Sequence, residues 1–107
     1  MFATILLLAQ AAFAADTYVI DGNGGNPTHE CSAGQAVSVT GSNNHVTLTG
    51  NCGKLTVSGS NDEITVDGVS SIQVTGTNND VTWSRNLSGK KKLPVTVTGI
   101  GNSVHRS

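Results

Sequence analysis

Val37-Ser-Val-Thr-Gly41-Ser-Asn-Asn-His-Val46-Thr-Leu-Thr-Gly50 holds two copies of one five-residue unit: apolar, polar, apolar, polar, Gly. The unit returns at Leu55–Gly59, Ile64–Gly68 and Ile72–Gly76, and its first apolar position recurs at residues 37, 46, 55, 64, 72, 81, 95 and 104. The steps are nine, nine, nine, eight, nine, fourteen and nine residues. Period-two alternation of β-branched with polar residues marks half-buried strands, and glycine followed by Asn marks the turns between them.

The turns alternate in kind. One set is uniform: Gly41-Ser-Asn43-Asn44, Gly59-Ser-Asn61-Asp62, Gly76-Thr-Asn78-Asn79 and Gly99-Ile-Gly101-Asn102. The other set varies, with Gly50-Asn-Cys52-Gly-Lys54, Gly68-Val-Ser-Ser71 and an insertion from Arg85 to Pro94. The true repeat is therefore a pair of short strands, about 18 residues long. A helix-free repeat of that length fits stacked coils. An antiparallel meander could use four-residue turns too, but hairpins do not require like residues at every second turn. The expected fold is all-β: a single-domain parallel β-helix or β-solenoid of four to five coils, two short strands per coil.

Alternation sends fifteen side chains inward: Val37, Val39, Val46, Leu48, Leu55, Val57, Ile64, Val66, Ile72, Val74, Val81, Trp83, Val95, Val97 and Val104. The intervening Ser and Thr residues face outward. Residues 18–22 match the unit once, and residues 28–36 are a degenerate half-repeat. At the uniform corner, Asn43, Asn61 and Asn78 form one column and Asn44, Asp62 and Asn79 another. Side-chain ladders and tolerance of left-handed backbone explain Asn there.

Composition narrows the partners. Among 107 residues, 12% are charged and the net charge is -1, which leaves no electrostatic case for nucleic acid. Residues 1–15 read as a signal peptide, with an apolar run through Leu6-Leu7-Leu8 and a small-x-small site at Ala12-Phe13-Ala14. That run is too short for a spanning helix of roughly 20 residues, so residues 16–107 form the expected mature domain, with no stable membrane span after cleavage. The protein is thus expected to be secreted, or held in the periplasm or cell envelope, where Cys31 and Cys52 can oxidise. In a coil of about 18 residues these cysteines fall on adjacent coils, whose spacing of about 4.8 Å suits a disulfide. The bridge is expected to add on the order of 3 kcal/mol.

The recurring Gly-x-Asn-Asn turn followed by apolar-Thr-apolar, as in residues 41–50 and 76–83, resembles the secreted bacterial family known as domain of unknown function 3060. The likeness covers about residues 37–104. It implies an exported bacterial β-solenoid and brings no catalytic residues with it. The Lys-rich insertion and Gly101, which stands in place of the first Asn, depart from the pattern.

No catalytic set emerges, because Glu63, Asp67 and Asp80 fall on turns or strand ends without the matched partner that glycoside hydrolysis needs. No enzyme activity and no cofactor are expected. The leading expectation is a structural or binding protein that presents Thr/Ser/Asn-rich faces to an envelope component or protein partner. The alternative is an ion- or small-ligand-binding module. Calcium would use the Asn-rich turns, although a hard cation wants several anionic oxygens and these turns offer mostly amides, so no metal ligands are assigned. Ice would use Thr-x-Thr arrays, which resemble the faces of β-solenoid antifreeze proteins. Arg85, Lys90, Lys91 and Lys92 are candidates for contact with an anionic surface. His29, His45 and His105 have unrelated spacings and read as surface groups. Trp83 precedes the insertion, which is expected to open or cap the coil around the indole.

Overall fold

Alternating β-branched residues extend the chain and Gly/Asn corners bend it, so residues 17–107, the part described by the computed structural model, consist of strands and tight turns without a helix. The signal peptide expected at residues 1–15 lies outside the described residues. Eight strands follow in order: β1 (Tyr18–Asn23), β2 (Thr28–Ser42), β3 (His45–Ser60), β4 (Glu63–Val69), β5 (Ser71–Thr77), β6 (Asp80–Asn86), β7 (Val95–Ile100) and β8 (Ser103–Arg106).

Every pairing between them is parallel. One wall stacks β1, the second halves of β2 and β3, then β5 and β7; its register runs Tyr18, Val37, Leu55, Ile72, Val95. The other wall stacks the first halves of β2 and β3, then β4, β6 and β8. Partners lie 19, 18, 17 and 23 residues apart along the first wall, which makes a parallel β-solenoid of about four turns. The long last step contains the insertion.

Residues 28–36, expected to be degenerate, supply a regular wall strand at their start: Thr28–Cys31 pairs with Thr47–Gly50. The alternation is masked because His29 occupies the place that leucine holds in the next coil, and Cys31 the place of its glycine. The Cys31–Cys52 disulfide is present, with a Cα–Cα distance of 5.2 Å. Cys31 pairs in register with Gly50, and the ladder shifts at this corner, so the bridge crosses it diagonally.

Eleven of the fifteen expected core residues, from Val37 through Val81, are buried. Trp83 and Val104 pack against that core and are half-buried. Val95 and Val97 depart from the expectation: they are 39% and 44% exposed. Both lie on β7 in the last coil, where inward side chains have a neighbour on one side only. Ile20, Cys31, Cys52, Val69 and Leu93 join the core instead, the last reaching in from the insertion.

Close stacking depends on glycine at the uniform corner. A Cβ on Gly41, Gly59, Gly76 or Gly99 would sit 1.8–2.0 Å from a glycine carbonyl oxygen of the preceding coil, and each has φ between +111° and +145°. No side chain fits there.

Candidate functional site

The uniform corner divides its two Asn columns into separate roles. Asn43, Asn61 and Asn78 hold left-handed backbone, with φ of 59°, 57° and 54°, and their side chains are exposed. Asn44, Asp62 and Asn79 turn inward and are almost fully buried. Their Oδ1 atoms accept main-chain N–H groups from the coil before: Asn44 N donates to Asp62 (2.9 Å), Asp62 N to Asn79 (3.1 Å), and Asn79 N to Asn102 (2.9 Å). Asn102 thus extends the column by a rung. Its membership was legible in Gly101-Asn102, where glycine supplies the left-handed residue that Asn supplies elsewhere. Within the buried column these Oδ1 atoms are occupied by N–H donors inside the stack.

The first wall carries two outward columns in register. Ser38, Thr56, Gln73 and Thr96 form one, and Thr40, Ser58, Thr75 and Thr98 the other. Among the described residues, one internal hydrogen bond engages these side chains, from Thr40 Oγ1 to the Ile20 carbonyl at 3.5 Å. On the second wall Thr28, Thr47, Thr65 and Thr82 align, and His105 ends the column with Nε2 3.0 Å from Thr82 Oγ1. Farther along, Thr49 and Asp67 fall where the register shifts.

The four basic candidates part company. Arg85 lies on β6 and reaches across the surface. Its Nε and one terminal nitrogen donate to the two oxygens of Asp67, each at 3.0 Å, and that same nitrogen reaches Asn51 Oδ1 (2.8 Å) and the Gly50 carbonyl (3.3 Å). The guanidinium holds the Asp67 carboxyl below its ordinary range. Arg85 is a clamp between coils. Lys90, Lys91 and Lys92 are exposed in the loop between β6 and β7, with no ion-pair partner among the described residues. Asn86 and Ser88 brace that loop: Asn86 Nδ2 donates to the Lys90 carbonyl, and the Lys90 N–H donates to Ser88 Oγ, each at 3.0 Å. Leu93 pins it to the core.

Each end of the stack carries a polar-aromatic contact. Tyr18 and His29 stack at the first coil, ring centroids 3.5 Å apart. At the last coil the Arg106 guanidinium lies 5.3 Å from the Trp83 ring, and Lys91, Lys92, Leu93, Val95 and Val104 surround the same shallow hollow. The insertion therefore borders the indole. The Tyr18–His29 contact does not follow from periodicity, because its partners lie on different walls, whereas Arg106 is the register partner of Trp83 one coil on.

Two exposed pairs, His45–Glu63 at 3.7 Å and His105–Asp80 at 3.5 Å, run beside the buried column. Among the described residues no group of three or more His, Cys, Asp and Glu could hold a metal ion, and no helix is long and apolar enough to cross a membrane.

A family model described as "Protein of unknown function (DUF3060)" matches residues 39–92. No curated protein and no solved structure matches the chain.

Proposed function

The chain belongs to the DUF3060 family, and from that premise we propose that it is an exported structural or binding protein, without catalysis, that presents the hydroxyl-rich first wall of its solenoid to an envelope component or protein partner. One observation carries the reading. The columns Ser38–Thr56–Gln73–Thr96 and Thr40–Ser58–Thr75–Thr98 lie in register, while their side chains make a single hydrogen bond to the protein itself among the described residues. A rigid array of donors and acceptors at strand spacing, about 4.8 Å, can match a repeating polar surface without ordering itself first. The disulfide supports an oxidising compartment and hence export.

The test is capture from the producing cell's envelope by immobilised protein. Replacing Thr56, Thr75, Thr96 and Thr98 with Val keeps β-branched shape and removes hydroxyls. The expected result is loss of captured material with an unchanged melting temperature. Equal capture by the folded variant overturns the reading. A Lys90→Ser, Lys91→Ser, Lys92→Ser variant in the same assay isolates an anionic partner held by the exposed lysine loop.

A further inference from the structure

The buried column contains one chemically odd rung. In Asn44, Asn79 and Asn102 the side-chain Nδ2 donates to two carbonyls, one from a glycine of the preceding coil and one four residues earlier in its own coil. Asn44 reaches Gly22 (3.0 Å) and Thr40 (3.3 Å); Asn79 reaches Gly59 (3.0 Å) and Thr75 (3.4 Å); Asn102 reaches Gly76 (2.9 Å) and Thr98 (3.1 Å). Asp62 has Oδ2 where the others have Nδ2. The corresponding carbonyls are those of Gly41 and Ser58, and both are acceptors.

Local geometry confirms the equivalence. An ideal Cβ on Gly59 would lie 1.8 Å from the Gly41 oxygen and 2.9 Å from Asp62 Oδ2. On Gly76 the same construction lies 2.0 Å from the Gly59 oxygen and 3.1 Å from Asn79 Nδ2. Asp62 Oδ2 thus stands in a donor's position within reach of a carbonyl, yet it is buried without a hydrogen-bond partner in a residue only 1% exposed. An ionised oxygen there would face carbonyl dipoles end-on, out of water, an arrangement that costs a great deal.

We propose that Asp62 is a buried proton-binding site: in the folded solenoid it is a neutral carboxylic acid whose Oδ2–H donates to the Gly41 carbonyl, completing the ladder as an amide would. The proton repairs the donor pattern and leaves Oδ1 free to accept from Asn44 N. The groups facing Asp62 from the flanking corners, Asn44 and Asn79, are neutral, as are Gly41, Ser58 and Gly59 of the wall. The titratable groups of these corners, His45, Glu63 and Asp80, lie one residue along in the column that contains the His45–Glu63 and His105–Asp80 pairs. Consistent with the geometry, burial raises the Asp62 carboxyl above its ordinary value of 3.8, while hydrogen bonds from Asn44 pull the other way.

The sign of the consequence follows. A folded state that holds the proton more tightly than the unfolded chain has this rung's full stabilisation below pH 3.8, and loses it as pH rises through the raised folded value. The middle corner is acid-stabilised.

The experiment compares the oxidised protein with Asp62→Asn from pH 3 to pH 8. Because other carboxylates titrate in both proteins, the difference between their melting temperatures isolates this group. The expected difference is small at pH 3 and grows to about 4–8 °C in favour of the Asp62→Asn variant at pH 8. A pH-independent difference, or a lower melting temperature for the variant at pH 8, overturns the proposal. Carboxyl carbon NMR of the unaltered protein gives a second reading that decides alone if the variant does not fold. An Asp62 midpoint above 3.8 supports the proton site, and one at or below 3.8 overturns it.

Discussion

Asn79→Ala separates the ladder column from its neighbour. The Asn79 side chain accepts from Asp62 N at 3.1 Å and donates to the carbonyls of Gly59 at 3.0 Å and Thr75 at 3.4 Å, in a residue 1% exposed. Truncation leaves the buried Asp62 N–H without an acceptor, which alone costs about 1–3 kcal/mol. Loss of the two donated bonds brings the total to about 2–4 kcal/mol. In a domain of this size that is a fall in melting temperature of about 8–30 °C. Asn78→Ala is the matched control. Its side chain is exposed, and what it gives is tolerance of φ 54°, so alanine there should cost about 1 kcal/mol and glycine less. Circular-dichroism melts of the oxidised protein at one pH measure both. The reasoning is refuted if Asn78→Ala lowers the melting temperature as much as Asn79→Ala.

Other expectations are simpler. Reducing Cys31–Cys52, or replacing both residues with Ser, should destabilise by on the order of 3 kcal/mol; an unchanged melt would show that the first coil does not need its staple. Ile64→Ala, in the middle of the stack, should cost about 2–5 kcal/mol, whereas Val97→Ala in the exposed last coil should cost under about 1 kcal/mol, and denaturant titrations giving equal losses would contradict the open-ended core. Tryptophan emission should be blue-shifted from that of a hydrated indole and move red in Arg106→Ala, since Arg106 covers Trp83; a spectrum of fully hydrated Trp in the unaltered protein would deny the packing.

The family likeness, the all-β parallel solenoid and its spacing of about 18 residues were legible in the chain itself. In a solenoid each residue packs on its own counterpart one coil away, so a local pattern repeated in phase is already a map of the tertiary contacts. Hence Val37 through Val81 could be placed inside from alternation alone, and the two cysteines could be paired. The hydroxyl columns were legible for the same reason.

What the sequence left open depends on where the stack ends and on which way a corner turns. Val95 and Val97 carry the same pattern as Val37 and Val39, but among the described residues no strand covers their far side, and they stay exposed. Thr28–Cys31 was a strand without the usual residues because the ladder of Thr47–Gly50 supplied its hydrogen bonds. Adjacent Asn43 and Asn44 look alike in sequence, and only the left-handed backbone at the first turns the second inward. Arg85 read as a free cation until the fold set Asp67 and Asn51 beside it. Asp62 read as one more Asn-like rung, and the stacked carbonyls of Gly41 and Ser58 made it a different one. Periodicity alone decided the coil and its core; the ends, the inward turn of each corner and the partners of its polar groups were decided only by tertiary contacts, because those partners lie one or two coils away in the chain and a hydrogen bond requires position as well as residue type.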